Sequence, residues 1–383
     1  MCPCPVCGSG DGLVFLSRKN MPVHQHILHR SEKEARAAAR GDLSMTACPS
    51  CGFVYNAAFD PGLLAYGREY DNDQSLSPAF SVHLTDRADR VSKALAVDRP
   101  SVLEVGCGKG HFLKILGEMR PDLTGTGFDP SYIDEESALG GRLKFHRRFF
   151  EGPKEGLTSE AVICRHVIEH IREPPGFLAS LGAALSENPA SALFLETPDV
   201  DWILKNRVIW DFFYEHCSLF SAGSLGFALG RCGLSVSAHE AVFGGQYLWM
   251  EAGRGGAENP ARGGAENTLR LAEGFSEALP GILAEWAEKI EKYAKSGPVG
   301  LWGAGAKGVT FVNLIDPEGL LIDCLVDINP AKQGCFVAGT GHPIVDVATA
   351  ARRGVRTLIL MNPEYRAENL EIIRRAGLSI ELA

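Results

Sequence analysis

The chain has 383 residues, of which 45% are hydrophobic and 22% are charged, and its formal net charge is −9. This length predicts two large domains and a smaller piece, and the composition excludes a disordered or fibrous chain. The negative charge argues against a nucleic-acid partner, because no basic surplus is available for phosphate contacts. Neither a membrane span nor a signal peptide is visible, so we expect a cytoplasmic protein that does not contact a membrane.

The eleven cysteines are better explained by metal binding than by disulfides in a chain without a signal peptide. The pentapeptide C-P-x-C-G occurs twice, and it supplies the four candidate ligands Cys4, Cys7, Cys48 and Cys51. Two residues between cysteines allow both thiolates to face one ion, and four thiolates favour a closed, structural zinc site. Cys2 is left over. Because residues 1–60 are too few for a sizeable core, zinc should supply much of this module's stability.

Between the two cysteine pairs lies a histidine-rich stretch with His24, His26 and His29. Four cysteines already complete a tetrahedral zinc site, so these histidines are expected on the surface or facing a substrate. The following segment, "SEKEARAAARGDLSM", predicts a short helix that ends at Gly41.

Alternating strands and helices begin near residue 84, and the segment 101–116 reads as strand, glycine loop and helix. After Glu104, glycines stand at every second position, namely Gly106, Gly108 and Gly110. Glycine allows a ligand to approach the backbone closely, and the next helix points its N-terminus at that ligand. A second strand then ends at Asp129, where a carboxylate can accept hydrogen bonds from a ribose diol.

This arrangement resembles the class I S-adenosylmethionine-dependent methyltransferases. In that family the glycine loop faces the methionine part of the cofactor and the acidic residue holds the ribose, and Gly106, Gly108 and Asp129 match directly. The segments "EAVICRHVIEHI" and "SALFLETPDVDW" would be the fourth and fifth strands. His166 would then be either a cofactor contact or a core histidine beside Cys164.

The pentapeptide GGAEN occurs at 255–259 and again at 263–267, in a glycine-rich stretch that is typical of a mobile loop. The next segment predicts a helix that is interrupted at Pro280 and ends before Gly297. These features divide the chain into a zinc-binding module with a substrate-side segment (1–83), a methyltransferase core (84–253), a loop with a linker helix (254–296) and a C-terminal domain (297–383).

The C-terminal domain also opens with a strand, a glycine loop and a helix, in "PVGLWGAGAKGVTFVNL". A nicotinamide site is one interpretation, but Gly303 and Gly305 are followed by Ala306 and Lys307. A lysine at this position suits a phosphate or a carboxylate better than a dinucleotide fingerprint does. A degenerate Rossmann-like domain that only shapes a cleft is the alternative.

Across nearly its whole length the chain resembles bacterial sugar C-methyltransferases, which methylate a carbon next to a ketone in a nucleotide-linked deoxysugar. Their H-E-H-x-S-x-F-S segment corresponds to residues 214–221, a G-G-S-like segment to residues 244–246, and their G-A-x-A-K-G loop to residues 303–308. Two positions depart from this pattern. The family commonly has histidine where this chain has Tyr214, and Cys217 is unusual next to His216. The resemblance implies a Rossmann-like class I methyltransferase core between a small zinc-binding module and a second Rossmann-like domain, in an α/β fold.

Methyl transfer to carbon needs a base that removes a proton next to the carbonyl, and polar groups that hold the enolate oxygen. Glu215 and His216 fit as a pair in which the carboxylate orients or charges the imidazole. The resemblance implies that His216 is the base and that Tyr70 and His170 support it, with Tyr214 in the same segment. It also implies that Lys307 and Asp327 contact the nucleotide-linked substrate.

Two other functions remain open at this point. One keeps S-adenosylmethionine but transfers the methyl group to oxygen or nitrogen, with His216 deprotonating a hydroxyl or an amine. The other is a zinc-ribbon binding protein whose methyltransferase core is inactive, although the intact glycine loop and Asp129 argue against it. The sequence does not specify the oligomeric state or the sugar.

Overall fold

The computed structural model describes residues 3–64, 74–255 and 264–383. The N-terminal module contains three strands and one short helix: β1 (Leu13–Pro22), α1 (Glu32–Arg36), β2 (Arg40–Ala47) and β3 (Val54–Asn56). The strands pair antiparallel in the order β1-β2-β3. Ser31 caps α1 by accepting a hydrogen bond from the N–H of Glu34.

The predicted end of this helix at Gly41 is wrong, because α1 ends at Arg36 and Gly41 lies inside β2. The reason is a tertiary contact with a distant part of the chain. A Cβ at Gly41 would lie 2.2 Å from Cε2 of Tyr214. Glycine is therefore required at this strand position so that the buried Tyr214 ring can pack against the backbone.

The middle of the chain alternates strands and helices. Its elements are α2 (Pro78–Ala94), β4 (Ser101–Val105), α3 (His111–Met119), β5 (Thr124–Phe128), β6 (Ser137–Ala138), β7 (Leu143–His146), β8 (Ala161–Arg165), α4 (Pro174–Ala183), β9 (Ala192–Pro198), α5 (Val200–Lys205), β10 (Ser218–Leu219), α6 (Ala222–Arg231), β11 (Leu234–Val242) and β12 (Tyr247–Arg254). The predicted fourth and fifth strands are confirmed as β8 and β9.

An eight-stranded sheet organises this domain, with the strand order β11-β12-β9-β8-β4-β5-β7-β6. Strands β7, β5, β4, β8 and β9 are parallel, and β12 runs antiparallel to both β9 and β11. The chain proceeds from β4 outward to β5 and β7, and then returns to β8 on the other side of β4. The carboxyl ends of β4 and β8 therefore flank the topological switch point, where ligands of doubly wound sheets bind.

The C-terminal part begins with a long helix and continues into a second, smaller sheet. Its elements are α7 (Ala265–Ala294), β13 (Val299–Trp302), α8 (Ala306–Ile315), β14 (Ile322–Val326), β15 (Ile344–Val345), α9 (Val347–Arg352), β16 (Thr357–Leu360), α10 (Arg366–Arg375) and β17 (Glu381–Leu382). The five strands are all parallel and follow the order β15-β14-β13-β16-β17. This order is again Rossmann-like, with its switch point between β13 and β16.

Pro280 lies inside α7, so the predicted interruption of this helix is wrong. Phe275 and Ile282 are buried on either side of the proline. Packing of this face against the cluster around β1 and β2 offsets the lost backbone hydrogen bond, which costs about 3 kcal/mol in an isolated helix. Within the three described ranges, no helix is long and apolar enough to cross a membrane.

The segment 212–220 joins the modules. Its short strand β10 pairs with β3, which makes it the fourth strand of the N-terminal sheet. The N–H of Asn56 also donates to the carbonyl of Cys217 at 3.0 Å. The residues just before β10, including His216, are therefore held where the N-terminal module, the central domain and the C-terminal domain meet.

Candidate active site

The four cysteines of the two C-P-x-C-G pentapeptides form one cluster, as predicted from their spacing. Their sulfurs all lie within 4.8 Å of one another, with Cys4–Cys51 at 3.7 Å and Cys7–Cys48 at 3.4 Å. Tetrahedral zinc with Zn–S bonds of about 2.3 Å requires sulfur separations of about 3.8 Å, so the donor set fits this ion. Both turns are closed the same way: the N–H of Gly8 donates to the carbonyl of Cys4, and the N–H of Gly52 to that of Cys48.

The glycine loop after β4 has left-handed backbone at all three predicted glycines, with φ of 79° at Gly106, 53° at Gly108 and 74° at Gly110. The physical reason for having glycine differs among the three positions. A Cβ at Gly106 would lie 2.0 Å from Cγ2 of Val167, and one at Gly110 would lie 2.7 Å from the Phe145 ring. A Cβ at Gly108 would meet no atom within 4 Å. Gly108 therefore faces the open space in which a cofactor can approach the backbone.

Asp129 fixes this loop from the end of β5. Its Oδ2 accepts the N–H of Gly108 at 2.9 Å, and its Oδ1 accepts the N–H and the hydroxyl of Ser131 at 2.7 and 2.6 Å. Oδ2 therefore retains acceptor capacity for a ribose hydroxyl. Glu104, at 2% exposure near the end of β4, has one carboxylate oxygen without a hydrogen-bond partner.

Burial raises the pKa of the Glu104 carboxyl to about 7, against the opposing charge of Arg165. A buried carboxyl oxygen without a partner destabilises the fold unless a ligand group donates a hydrogen bond to it. Together with the open space at Gly108, this unpartnered oxygen shows that the loop fits a polar cofactor such as S-adenosylmethionine.

A cavity of about 240 Å³ lies between the central domain and the C-terminal domain. Five of the predicted site residues line it: His166, His170, His216, Lys307 and Asp327. The close contact between Gly106 and Val167 places the cofactor loop directly beside the segment 166–170, which forms part of the cavity wall. Both predicted sites, for cofactor and for substrate, therefore converge on the carboxyl end of β8.

His216 lies in the cavity wall between two rings. The Phe213 ring centroid is 4.0 Å from that of His216, and the His170 ring stands edge-on at 4.8 Å with an interplanar angle of 89°. The Nδ1 atom of His216 is buried without a hydrogen-bond partner. Burial, and then the neighbouring His170, hold the pKa of His216 well below its usual value, so the ring is neutral near pH 7.

The predicted pairing of Glu215 with His216 is wrong. The fully buried Glu215 carboxylate instead accepts the N–H of Gln25 at 3.0 Å and lies 3.4 Å from Nδ1 of His24. Burial opposes ionisation, but His24 and then His26 outweigh it and lower the pKa of Glu215. Glu215 and His216 are adjacent and share His26 and His170 as electrostatic neighbours, but the hydrogen bonds of the Glu215 carboxylate go to the histidine-rich stretch. Glu215 therefore anchors the histidine-rich stretch rather than the base.

Tyr214 is likewise a packing residue in this structure. Its hydroxyl accepts the N–H of Asp60 at 2.8 Å and donates to the carbonyl of Asp60 at 3.2 Å. Its ring is fully buried beside Val23, Phe59 and Cys217. The prediction that Tyr214 is catalytic is therefore not supported by its position. Tyr70 lies outside the described residues.

His166 binds protein carboxylates with both ring nitrogens. Nδ1 lies 3.3 Å from Oε1 of Glu169, and Nε2 lies 3.2 Å from Oε1 of Glu196. Glu196 is also bonded to His83 at 2.7 Å and to Arg165 at 2.9 Å. His166 also lines the cavity, so its predicted contact with the cofactor stays a prediction.

In the C-terminal domain, Lys307 and Asp327 have different partners. Nζ of Lys307 donates to Asp211 at 2.6 Å and to Gln246 at 3.1 Å, so the lysine reaches across the cavity to the core. Asp327 accepts the N–H of Ala304 in the second glycine loop at 3.0 Å, as Asp129 does for Gly108 in the first.

Several cavity residues were not predicted from the sequence as site residues: Asp211, Tyr247, Asn329 and Lys332. Asn329 and Lys332 could have been predicted, because they closely follow Asp327 in the sequence. Polar residues after the second strand of a Rossmann-like unit face its ligand. His26 does line the cavity, as one of the two alternatives for the histidine-rich stretch anticipated.

Comparison with known proteins agrees with this geometry. Residues 81–239 match the model of a family described as a methyltransferase domain, and residues 264–376 match that of a C-methyltransferase C-terminal domain. The chain therefore carries a methyltransferase domain followed by a C-methyltransferase C-terminal domain, and the two matches together support an S-adenosylmethionine-dependent C-methyltransferase.

Two curated relatives illustrate the range of similarity. The C-methyltransferase NovU of Streptomyces niveus is 24% identical over 396 aligned positions, which cover 96% of this methyltransferase and 91% of NovU. A mitochondrial ubiquinone biosynthesis O-methyltransferase of Schizosaccharomyces pombe is 28% identical over 94 positions, covering 23% of this chain and 34% of the relative. Of these two similarities, the one to NovU extends over all the domains.

Among solved structures, an O-methyltransferase family protein from Burkholderia thailandensis aligns with a TM-score of 0.37 and 20% identity, covering 49% of this chain and 62% of its own. The S-adenosylhomocysteine-bound methyltransferase CalO1 of calicheamicin biosynthesis aligns with a TM-score of 0.37 and 13% identity, covering 46% of this chain and 55% of its own.

Proposed function

We propose that this enzyme methylates a carbon next to a carbonyl group, with His216 as the base, and that its acceptor is a nucleotide-linked ketosugar. The observation that carries the proposal is the state of His216. It lines the cavity, one of its nitrogens is buried and unpartnered, and its depressed pKa leaves the ring neutral near pH 7. A neutral imidazole with an available lone pair is the form that accepts a proton.

The reaction divides into two bond changes. His216 takes the proton from the carbon next to the carbonyl, which leaves an enolate, and the enolate carbon then forms the new bond to the methyl group. When bound, S-adenosylmethionine supplies that methyl group from its sulfonium and leaves as S-adenosylhomocysteine. His170, which stands edge-on to His216 in the same wall, would stabilise the enolate oxygen.

The residues that would hold the cofactor are those of the first glycine loop. Asp129 would accept from the ribose diol, Gly108 would allow the close approach, and Glu104 would receive a polar group at its unpartnered oxygen. The zinc ion predicted for the four cysteines would be structural, since the four thiolates leave no open coordination position.

The acceptor's class is inferred from the other wall of the cavity. The second glycine loop, Lys307 and Lys332 all line it, and the loop leads into the N-terminus of α8. Backbone N–H groups at a helix N-terminus suit a diphosphate, and Lys307 and Lys332, which are paired with Asp211 and Asp327 in this structure, would add donors to it. The C-methyltransferase NovU, similar along nearly the whole chain, is consistent with a small-molecule acceptor. The cytoplasmic location expected from the sequence stays a prediction.

Proton exchange tests the base directly. A candidate nucleotide-linked ketosugar, incubated with enzyme in heavy water and S-adenosylhomocysteine, should exchange the proton next to its carbonyl, provided that the enolate forms reversibly. His216→Ala should slow this exchange by roughly 10²–10⁴-fold. Glu215→Gln is the matched variant: since the Glu215 carboxylate is bonded to His24 and Gln25, exchange should fall far less than in His216→Ala.

Product analysis covers the case in which proton removal and methyl transfer are concerted. With S-adenosylmethionine present, the new methyl resonance should couple to a carbon of the sugar. A methyl group on oxygen or nitrogen would refute the proposal, and so would full turnover by His216→Ala.

A further inference from the structure

Helix α10 carries a buried polar side chain in the wall of the cavity. Asn369 is 2% exposed, lies inside α10 and lines the cavity on the side of the C-terminal domain. Its side-chain nitrogen Nδ2 is buried, and no atom in the described part of the chain accepts a hydrogen bond from it. Because a buried amide donor without an acceptor lowers the stability of the folded protein, the fold alone does not explain this residue. The catalytic scheme above does not use it either.

The place of Asn369 is fixed by hydrogen bonds that tie the start of α10 to the segment just before α2. The hydroxyl of Tyr365, one turn earlier, donates to Oε1 of Gln74 at 3.0 Å. Oε2 of Glu368, next to Asn369 in the chain, accepts the hydroxyl of Ser77 at 2.8 Å. These four partners all line the cavity, so both of its walls hold the start of α10 in position.

The surroundings of Asn369 in this wall are largely apolar. Trp302 at the end of β13, Leu360 at the end of β16 and the following Met361 line the same cavity. Ile373, one turn further along α10, packs in the hydrophobic cluster that contains Trp302. The face of α10 that carries Asn369 is therefore turned toward these strand ends. A single amide among apolar and aromatic side chains suits a flat heterocycle that has a hydrogen-bond acceptor at its edge.

The order of groups along the proposed ligand leads to the same part of the wall. In that ligand the sugar lies at His216 and the diphosphate at the second glycine loop, which begins at Gly303 directly after Trp302. The nucleoside is the part of the ligand beyond the diphosphate. It would therefore continue from the loop along the strand ends of the C-terminal domain, where Trp302 and Asn369 line the cavity.

We propose that Asn369 is a specificity-determining residue that binds the nucleobase of the acceptor, with Nδ2 donating to an acceptor atom at the edge of the base. The amide oxygen beside Nδ2 accepts hydrogen bonds, so a base edge that presents an acceptor next to a donor satisfies the whole amide. All the common bases present such a pair, in different places on the ring. The inference rests on the proposed function for the presence of a nucleotide, and its own content is the discrimination between bases.

The test uses one substitution at two positions. Asn369→Leu nearly keeps the size of the side chain and removes the amide, and Asn369→Ala gives the same comparison with a smaller side chain. Asn313→Leu is the matched control, because Nδ2 of Asn313 in α8 donates to the carbonyls of Val309 at 2.8 Å and Ala338 at 2.9 Å. In the ligand-free protein Asn369→Leu should keep or raise the Tm, since it removes an unpartnered buried group and leucine favours a helix. Asn313→Leu should lower the Tm, since it removes two hydrogen bonds.

The readout is the Kd of nucleoside diphosphates, measured by calorimetric titration of the zinc-loaded protein with S-adenosylhomocysteine. The probes are UDP, dTDP, CDP, GDP and ADP. In the unmodified protein the best probe should bind at least about tenfold more tightly than the worst. In Asn369→Leu the Kd of the best probe should rise about tenfold, and the difference between probes should shrink by the same factor, whereas Asn313→Leu should retain it. Lys332→Met, which removes a phosphate donor, should raise the Kd of every probe by a similar factor.

The outcomes separate this inference from the proposed function. Unchanged Kd values in Asn369→Leu, or equal Kd values of all the probes in the unmodified protein, would overturn the inference and leave the proposed function standing. A lowered Tm with unchanged Kd values would also overturn it, because the amide would then bind a structural water. If no probe bound to the unmodified protein, this inference and the nucleotide-linked acceptor would both be refuted, whereas methyl transfer to carbon would still be decided by product analysis.

Discussion

Replacement of Gly108 by alanine should weaken cofactor binding while leaving the fold nearly intact. A Cβ at this position meets no protein atom within 4 Å, so the only cost to folding is the left-handed backbone at φ 53°. That cost is about 1–2 kcal/mol, partly offset by the smaller entropy of the unfolded alanine chain. The same Cβ occupies the space in which S-adenosylmethionine must approach the loop, so we expect its Kd to rise at least tenfold, about 1.4 kcal/mol.

Two other glycines provide the comparison. Gly140→Ala has the same backbone cost, with φ of 68° and nothing within 4 Å, but it lies in an exposed turn away from the loop. Gly106→Ala would place its Cβ 2.0 Å from Val167, so its loss of stability would obscure any effect on binding. Calorimetric titration with S-adenosylmethionine and thermal melting should give equal losses of about 2–4 °C in Tm for Gly108→Ala and Gly140→Ala, with weakened binding only in the first. Equal affinity in these two variants would refute the assignment of the loop.

Two further predictions concern the other domains. The purified protein should contain about one zinc per chain by metal analysis, and a Cys48→Ser, Cys51→Ser variant should lose both the metal and the thermal stability of the N-terminal module; a full equivalent of zinc in that variant would place the site elsewhere. Burial opposes ionisation of Asp316, but His342 and the backbone N–H of Ile322 hold its pKa at about 2. Its contribution to stability should therefore be complete above about pH 4 and be lost as the pH falls toward 2, and urea titrations should show a weaker loss over this window in Asp316→Asn.

The sequence predicts those parts of the site that depend on neighbouring residues or on strand order. The four cysteines come from two short knuckles, and the contact between Gly108 and Asp129 joins the ends of two adjacent parallel strands, β4 and β5. The topology of a doubly wound sheet brings such strand ends together whatever the rest of the chain does. The four cysteines therefore cluster as predicted, and the glycine loop lies beside Asp129, whereas the binding of zinc and of S-adenosylmethionine by these residues stays a prediction.

Contacts between distant segments were not predictable in the same way. Glu215 binds His24 and Gln25, about 190 residues earlier in the chain, and its sequence neighbour His216 was a more obvious partner. Adjacency in sequence says little about contact in a turn, where successive side chains point in different directions. The predictions of a helix end at Gly41 and of a helix break at Pro280 were wrong for a related reason. Packing of the Tyr214 ring against Gly41, and packing of α7 on both sides of Pro280, outweighed the local preferences of glycine and proline.

The two Rossmann-like domains contain the same hydrogen bond between a carboxylate and a glycine loop, but the loops differ in what they face. In each, a carboxylate at the end of the second strand accepts an N–H of the glycine loop, Asp129 from Gly108 and Asp327 from Ala304. The first loop is open at Gly108. The second carries Lys307, which reaches over the cavity to Asp211, only five residues before His216. The wall that would bind the substrate is therefore tied to the segment that carries the base, and the position of His216 is set by the C-terminal domain as well as by the core.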